Sequence, residues 1–231
     1  MNNNHKAKYR IKFTKGGRLR FIGHLDLLNL FHRAIKRSKL PVSYSQGFNP
    51  HQETSFALPL SLGYYGNSEY IDIYFIQTIN NSEIIEKLNK TLPAGISILS
   101  ARPFAEGEKN AASLTAAAEY SVILPENSGI TQGQLNDFLE QAEILVEKKT
   151  KKSSTQINIK PDILKLSSKC ENENIKEINM LISAGSQRSI RADSVMKSLY
   201  SFSGLPYDTY GISYIRENLY KSENGSYITL E

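Results

Sequence analysis

Cysteine is almost absent: Cys170 stands alone in 231 residues. That excludes an internal disulfide and any zinc or iron–sulfur site built from this chain's own cysteines. A nucleophilic thiol is disfavoured too, because SSKCENEN reads as a polar turn flanked by acids, the opposite of the electropositive setting reactive cysteines occupy. Long apolar runs are also missing. Those present are strand-sized and interrupted by charge, so no transmembrane helix can be drawn. The opening MNNNHKAKYR enters an alternating pattern without the apolar core of a signal peptide. A cytoplasmic protein with no membrane partner is expected.

What is present is a hydrophobic fraction of 40%, enough to build cores, and a net charge of +5 that is unevenly placed. Residues 1–110 carry fifteen Lys and Arg against eight Asp and Glu, a balance of +7, and the remainder carries thirteen against fifteen, or −2. A one-sided field of this kind favours an anionic partner such as nucleic acid.

Tyr9, Ile11 and Phe13 alternate with Arg10, Lys12 and Thr14, the period-two signature of a half-buried strand. An extended piece over Leu19 to Ile22 leads through Gly23 to a helix that starts near His24 and ends at Pro41. Leu27, Leu28, Phe31, Ala34 and Ile35 make its apolar stripe. Strand signals follow at Val42 to Tyr44, Thr54 to Leu60 and Tyr70 to Ile76, then a helix capped by Ser82 and a strand from Ile96 to Ala101. The second half repeats the order, with a strand at 119–124, a helix over 131–148, strands near 156–159 and at 175–183, a helix over 192–201 and a strand at 212–220. Strand–helix–strand–strand–helix–strand is the ferredoxin-like order. The expected fold is α+β, two tandem ferredoxin-like (βαββαβ) domains with antiparallel sheets, at 1–104 and 117–231. The small, polar residues 105–116 serve as linker.

The unusual chemistry lies between Arg18 and Phe56, which holds three of the four histidines. His24 and Asp26 stand where helix N–H groups and the dipole attract an anion, and Arg18 and Arg20 arrive just before them. Arg33 and Arg37 lie on the helix, and His32, eight positions after His24, reads as helix surface. Tyr44, Phe48, Phe56, Tyr64 and Tyr65 interleave with Gln46, Asn49 and Gln52, a mixture suited to stacking unpaired bases while amides read their edges, with Phe56 expected in the core. His51 is placed to fold back toward His24, so that with Asp26 the two histidines are the candidate acid–base groups. No tight metal-ligand spacing is present, so no metal is assigned. Arg191, after a glycine and before a helix, and Arg216 near the end are further phosphate candidates.

RLRFIGHLDLLNLFHRAIKRSKLPVSYSQGFNPH, followed by SFALPLSLG and EYIDI, resembles the radical-SAM-associated family. Members are fused to, or encoded beside, B12-binding-type radical SAM proteins. The resemblance is dense from Arg18 to Asp72 and thinner at LPAGISI, NIKPDIL and Arg191 to Arg216. It departs at Gln52, where the family has proline, and at Asn158-Ile159-Lys160-Pro161, where the family has an acidic residue followed by Ile-Arg-Pro. What it implies is an accessory module for a radical SAM partner, engaged on tRNA or rRNA. That partner would carry the iron–sulfur cluster and S-adenosylmethionine, since cluster binding needs three cysteines and this chain binds no cofactor of its own. Two alternatives stand beside it. One is a metal-independent endoribonuclease using His24 and His51, by fold-level analogy with CRISPR repeat-processing enzymes. The other is a purely protein-docking domain for the same partner.

Overall fold

The computed structural model describes residues 6–149, 154–171, 173–186 and 188–231. The chain divides into two units, Met1–Thr115 with Asn218–Glu231, and Ala116–Glu217.

In the first unit, β1 (Ala7–Lys15) runs into a 3-10 turn (Gly17–Phe21) and then α1 (His24–Ser38). The helix closes with Lys39 in the left-handed region, φ 56°, before Pro41 is reached. β2 (Thr54–Phe56), β3 (Tyr65–Phe75), α2 (Asn81–Asn89), β4 (Ile96–Pro103) and the short α3 (Ala111–Leu114) follow. The cap of α2 is Asn80 rather than Ser82: its side chain accepts the Ser82 amide. The strand expected at Val42 to Tyr44 is reduced to isolated bridges, Val42 to Phe75 and Tyr44 to Gln52. The last stretch of β10 (Ser213–Glu223) and β11 (Ser226–Thr229) complete this unit.

β1 pairs antiparallel with β3 on one side and β4 on the other, and β2 adds to β3. The period-two face of β1, Tyr9, Ile11 and Phe13, is fully buried, and so are Phe31 and Ile35 from α1 and Ile84 and Leu88 from α2. The helix stripe read from sequence is thus the seat of α1, each large apolar side chain contributing on the order of 1.5–3 kcal/mol.

The second unit contains β5 (Thr115–Ile123), α4 (Gln132–Glu140), the hairpin β6 (Leu145–Lys149) and β7 (Ser154–Asn158), β8 (Ile163–Glu171), β9 (Asn174–Ser183) and α5 (Ala192–Phe202). α4 opens with a capping box between Thr131 and Gln134 and stops at Glu140, eight residues short of the expected end. Beyond it the chain makes the β6–β7 hairpin. The sequence of residues 161–166 suggests one helical turn; a 3-10 turn forms at Lys160–Asp162, Ile163 to Leu166 begin β8, and Cys170 lies in that strand rather than in a turn.

The expected fold of two tandem ferredoxin-like domains is overturned. The strands join in one nine-stranded sheet, ordered β4-β1-β3-β10-β5-β9-β8 with β2 and β11 at its side, instead of two separate four-stranded sheets. The architecture is α+β with this large sheet and five α-helices among the described residues. The physical reason is β10: eleven residues long, it contributes its first part to one unit and its last part to the other. The 105–116 stretch contains α3 and the start of β5. No helix among the described residues is long and apolar enough to cross a membrane.

The far side of β1 is unusual in being charged and buried. Arg10, 2% exposed, donates to both oxygens of Asp72, which is fully buried, at 3.0 and 3.4 Å. Arg10 also meets Glu108 at 2.5 Å and the Leu230 carbonyl at 3.2 Å, while Arg102 holds Glu108 with two further bonds of 2.8 Å. The Arg102 bonds outweigh burial, and with the Ala105 amide and the Arg10 charge they pull the Glu108 carboxyl down to about 2. A carboxyl depressed in the folded state stabilises above its unfolded value, near 4.5, and loses that contribution as pH falls toward 2. Asp72 runs the other way, because burial raises it more than Arg10 and the Ala111 amide lower it. Glu108→Gln is therefore expected to cost on the order of 2 kcal/mol at neutral pH after allowance for solvent screening. Urea unfolding at several pH values should show the difference from wild type vanishing between pH 5 and 2. A constant difference over that range would rule the assignment out.

Candidate functional site

The site is built on the flank of α1 that faces β2. At 3.6 residues per turn, His24, Leu28 and His32 fall on one side of the helix. β2 passes beneath them. Phe56 meets the His24 ring edge-to-face at 5.3 Å and also packs on Phe13 and Phe31, at 5.8 and 5.4 Å. Two turns on, His32 Nε2 lies 3.0 Å from Thr54 Oγ1.

The loop from Tyr44 to His51 closes over the same flank. Ser45 N donates to the His51 carbonyl at 2.9 Å, His51 N donates to Ser45 Oγ at 3.1 Å, and Ser45 Oγ lies 2.8 Å from His51 Nδ1. This staple fixes the loop's base and leaves its tip outward. Gln46, Asn49 and Phe48 are exposed, Phe48 completely, and Tyr44 is 45% exposed. Gly47 sits at the tip with φ +123°, a backbone that side-chain-bearing residues rarely adopt. Gln52 ties the loop to the helix: its amide nitrogen donates to the His32 carbonyl at 3.1 Å and reaches the Tyr44 hydroxyl at 3.5 Å. Its own oxygen is buried without a partner among the described residues, a cost of about 1–3 kcal/mol.

Charge is organised around this loop. Burial lowers the His32 pKa and the nearby His51 lowers it further. Glu53 is pushed up by burial, but bonds from Lys6 and Ser43 and the neighbouring charges bring it below the ordinary carboxylate value. At the head of α1, Lys15, 2% exposed, donates to the Ile22 carbonyl at 3.1 Å and holds the 3-10 turn in place. On that turn Arg18 is exposed, and the Arg20 guanidinium lies over the Phe21 and Tyr65 rings at 4.6 and 4.7 Å from their centroids.

The remaining sequence candidates scatter. Asp26 is exposed in the first turn of α1. Arg33 is exposed as well, about 100° round the helix from His32. Arg37, about 140° from His32, donates to the Thr91 carbonyl at the end of α2 at 2.6 Å. In the second unit Arg191 is exposed and pairs with Asp193 at 2.8 Å. Arg216 is 1% exposed, which removes it from the surface a phosphate would meet. Among the described residues no three His, Cys, Asp or Glu side chains group to hold a metal ion. The sequence reading named Tyr65 and Gln52 among the stacking rings and amides but missed Phe21, the Arg20 contact with Tyr65 and the role of His32. Only Arg20-Phe21 had a visible signal, a cation and a ring adjacent before a helix start.

A family model described as "Uncharacterized protein conserved in bacteria (DUF2344)" matches residues 8–192. The chain belongs to this family. The DUF2344 match takes in β1, the 3-10 turn, α1 and the whole Tyr44–His51 loop. No curated protein matches the sequence. Among solved structures, a chain from one described as a crystal structure of a Cbf5-Nop10-Gar1 complex is similar at 9% identity and a TM-score of 0.46. The likeness covers 93% of this chain and 50% of that one, so this chain spans half its length.

Proposed function

We propose that this DUF2344 protein is a binding module for RNA, acting as an accessory to a radical SAM partner, with the α1–β2 flank and the Tyr44–His51 loop as the contact surface. The observation that carries the reading is the loop itself. Its base is stapled by Ser45 and His51 and anchored to α1 by Gln52, while Phe48 stands fully in solvent at its tip. Exposing a large ring on an anchored loop has no benefit to folding and suits stacking on a base. The +7 balance of residues 1–110 supplies the long-range attraction. The link to a radical SAM partner rests on the resemblance of RLRFIGHLDLLNLFHRAIKRSKLPVSYSQGFNPH alone.

Binding of tRNA and rRNA fragments should weaken steeply as salt rises from 50 to 200 mM, because Lys and Arg contacts release counterions. Phe48→Ala should lower affinity roughly tenfold without changing the melting temperature. Fragments that bind no better than to a similarly basic control protein would refute the RNA reading. One observation favours pure protein docking, namely that Leu25 and Leu62 are 71% and 64% exposed. Co-purification with the radical SAM partner that survives nuclease treatment, with no RNA bound, would select it. The nuclease alternative needs His24 and His51 to act together, whereas His24 rests on Phe56 and His51 on Ser45.

A further inference from the structure

Two groups on the α1–β2 side lack the partner their chemistry asks for. The first is Arg20. Its guanidinium is held by the rings of Phe21 and Tyr65, and among the described residues no carboxylate pairs with it. A planar cation oriented in this way keeps its N–H fork free for a planar or tetrahedral anion. Phe21 itself is 59% exposed, with exposed Arg18 three residues before it. The second is Gln52, 6% exposed, whose carbonyl oxygen is unmatched among the described residues while its amide nitrogen reaches the hydroxyl of the half-exposed Tyr44 at 3.5 Å. The two stations flank the stretch of α1 from His24 to His32, about 12 Å along the helix axis.

We infer that this side of the protein takes an unpaired stretch of a few nucleotides and discriminates against duplex. This deepens the RNA-binding reading and rests on it. One base stacks on Phe21 with its phosphate against Arg20 and Arg18. A second, farther along the strand, stacks on Tyr44, where a shift of that ring opens Gln52 Oε1 to a donor on the base edge. A duplex offers neither contact, because its base faces are covered by their neighbours and only its backbone is presented. Charge complementarity favours nucleic acid over a protein occupant: among the described residues no acid pairs with Arg18 or Arg20, and the exposed Phe21 ring lies beside Arg20.

The test is fluorescence anisotropy of the full chain with a labelled single-stranded RNA oligonucleotide and with a duplex of the same length, each at two salt concentrations. Single strand should bind at least tenfold tighter than duplex. Phe21→Ala and Tyr44→Ala should each weaken it roughly tenfold. Arg20→Lys, which keeps the charge but loses the planar fork, should still weaken it several-fold. All three positions reach solvent, and circular dichroism should report unchanged folds. If duplex and single strand bind alike and the three variants match wild type, while tRNA fragments still bind in a salt-sensitive way, the inference is overturned and the broader RNA reading survives. If no nucleic acid of any form binds, both fall.

Discussion

Replacing Asp72 with alanine is expected to cost about 3–5 kcal/mol of stability, the range for breaking a buried ion pair from one side. Asp72 is fully buried and accepts three bonds, two from Arg10 and one of 2.6 Å from the Ala111 amide. Its removal leaves Arg10 inside with only Glu108 for a counter-charge, and orphans the amide at the start of α3. Desolvation of the stranded guanidinium exceeds what the pair contributes by attraction, so the size of the loss measures the cost of a lone buried charge rather than the strength of the bond. Replacing both partners together, Arg10→Met with Asp72→Leu, should recover part of the loss. Urea unfolding followed by hydrogen exchange of the β1 and β3 amides is the measurement, since a chain with two units need not unfold in one step. A single variant within about 1 kcal/mol of wild type would show that water reaches Arg10 once Asp72 is gone.

Phe31→Ala is expected to be comparably severe, about 3–5 kcal/mol. The ring is fully buried and meets Phe13 edge-on at 4.9 Å and Phe56 at 5.4 Å. Beyond the lost apolar area, the cavity would remove the common floor of α1 and β2, because Phe56 also supports the His24 ring. Exchange protection should therefore fall first in α1 and β2, and RNA affinity should fall with it even under conditions where the chain stays folded. Phe31→Leu, which keeps most of the volume, should restore both. Loss of stability with full retention of binding would separate the helix seat from the surface and count against the α1–β2 flank as the contact.

These two sites also mark what could be read from the chain. The Phe31 stripe and the β1 alternation were legible because periodicity reports local burial directly. Arg10 was assigned to a solvent face by the same logic. It is buried because residues far along the chain, Glu108 and Leu230, close over it, and no local pattern carries that information. Arg216 had a signal that went unused: it shares the period-two face of Tyr214, and both are buried. Arg33 and Arg37 likewise separate from His32 by counting helical angles alone. The Ser45–His51 staple and the Arg20 clamp depend on loop geometry that side-chain identity does not dictate. The nine-stranded sheet was missed because strand pairing between distant segments leaves no trace in a window of ten residues.

Residues 218–231 belong with the first 115, and about a hundred residues stand between them. During synthesis β3 therefore emerges long before β10, its neighbour in the sheet. About 140 residues separate the end of β3 from β10, so at ~5–20 residues added per second that edge of the nascent chain stays open for roughly 7–28 s. Throughout that interval the part of β3 before Ile71, which β2 leaves uncovered, is a template for any strand that meets it, so the growing polypeptide is open to mispairing until β10 is made.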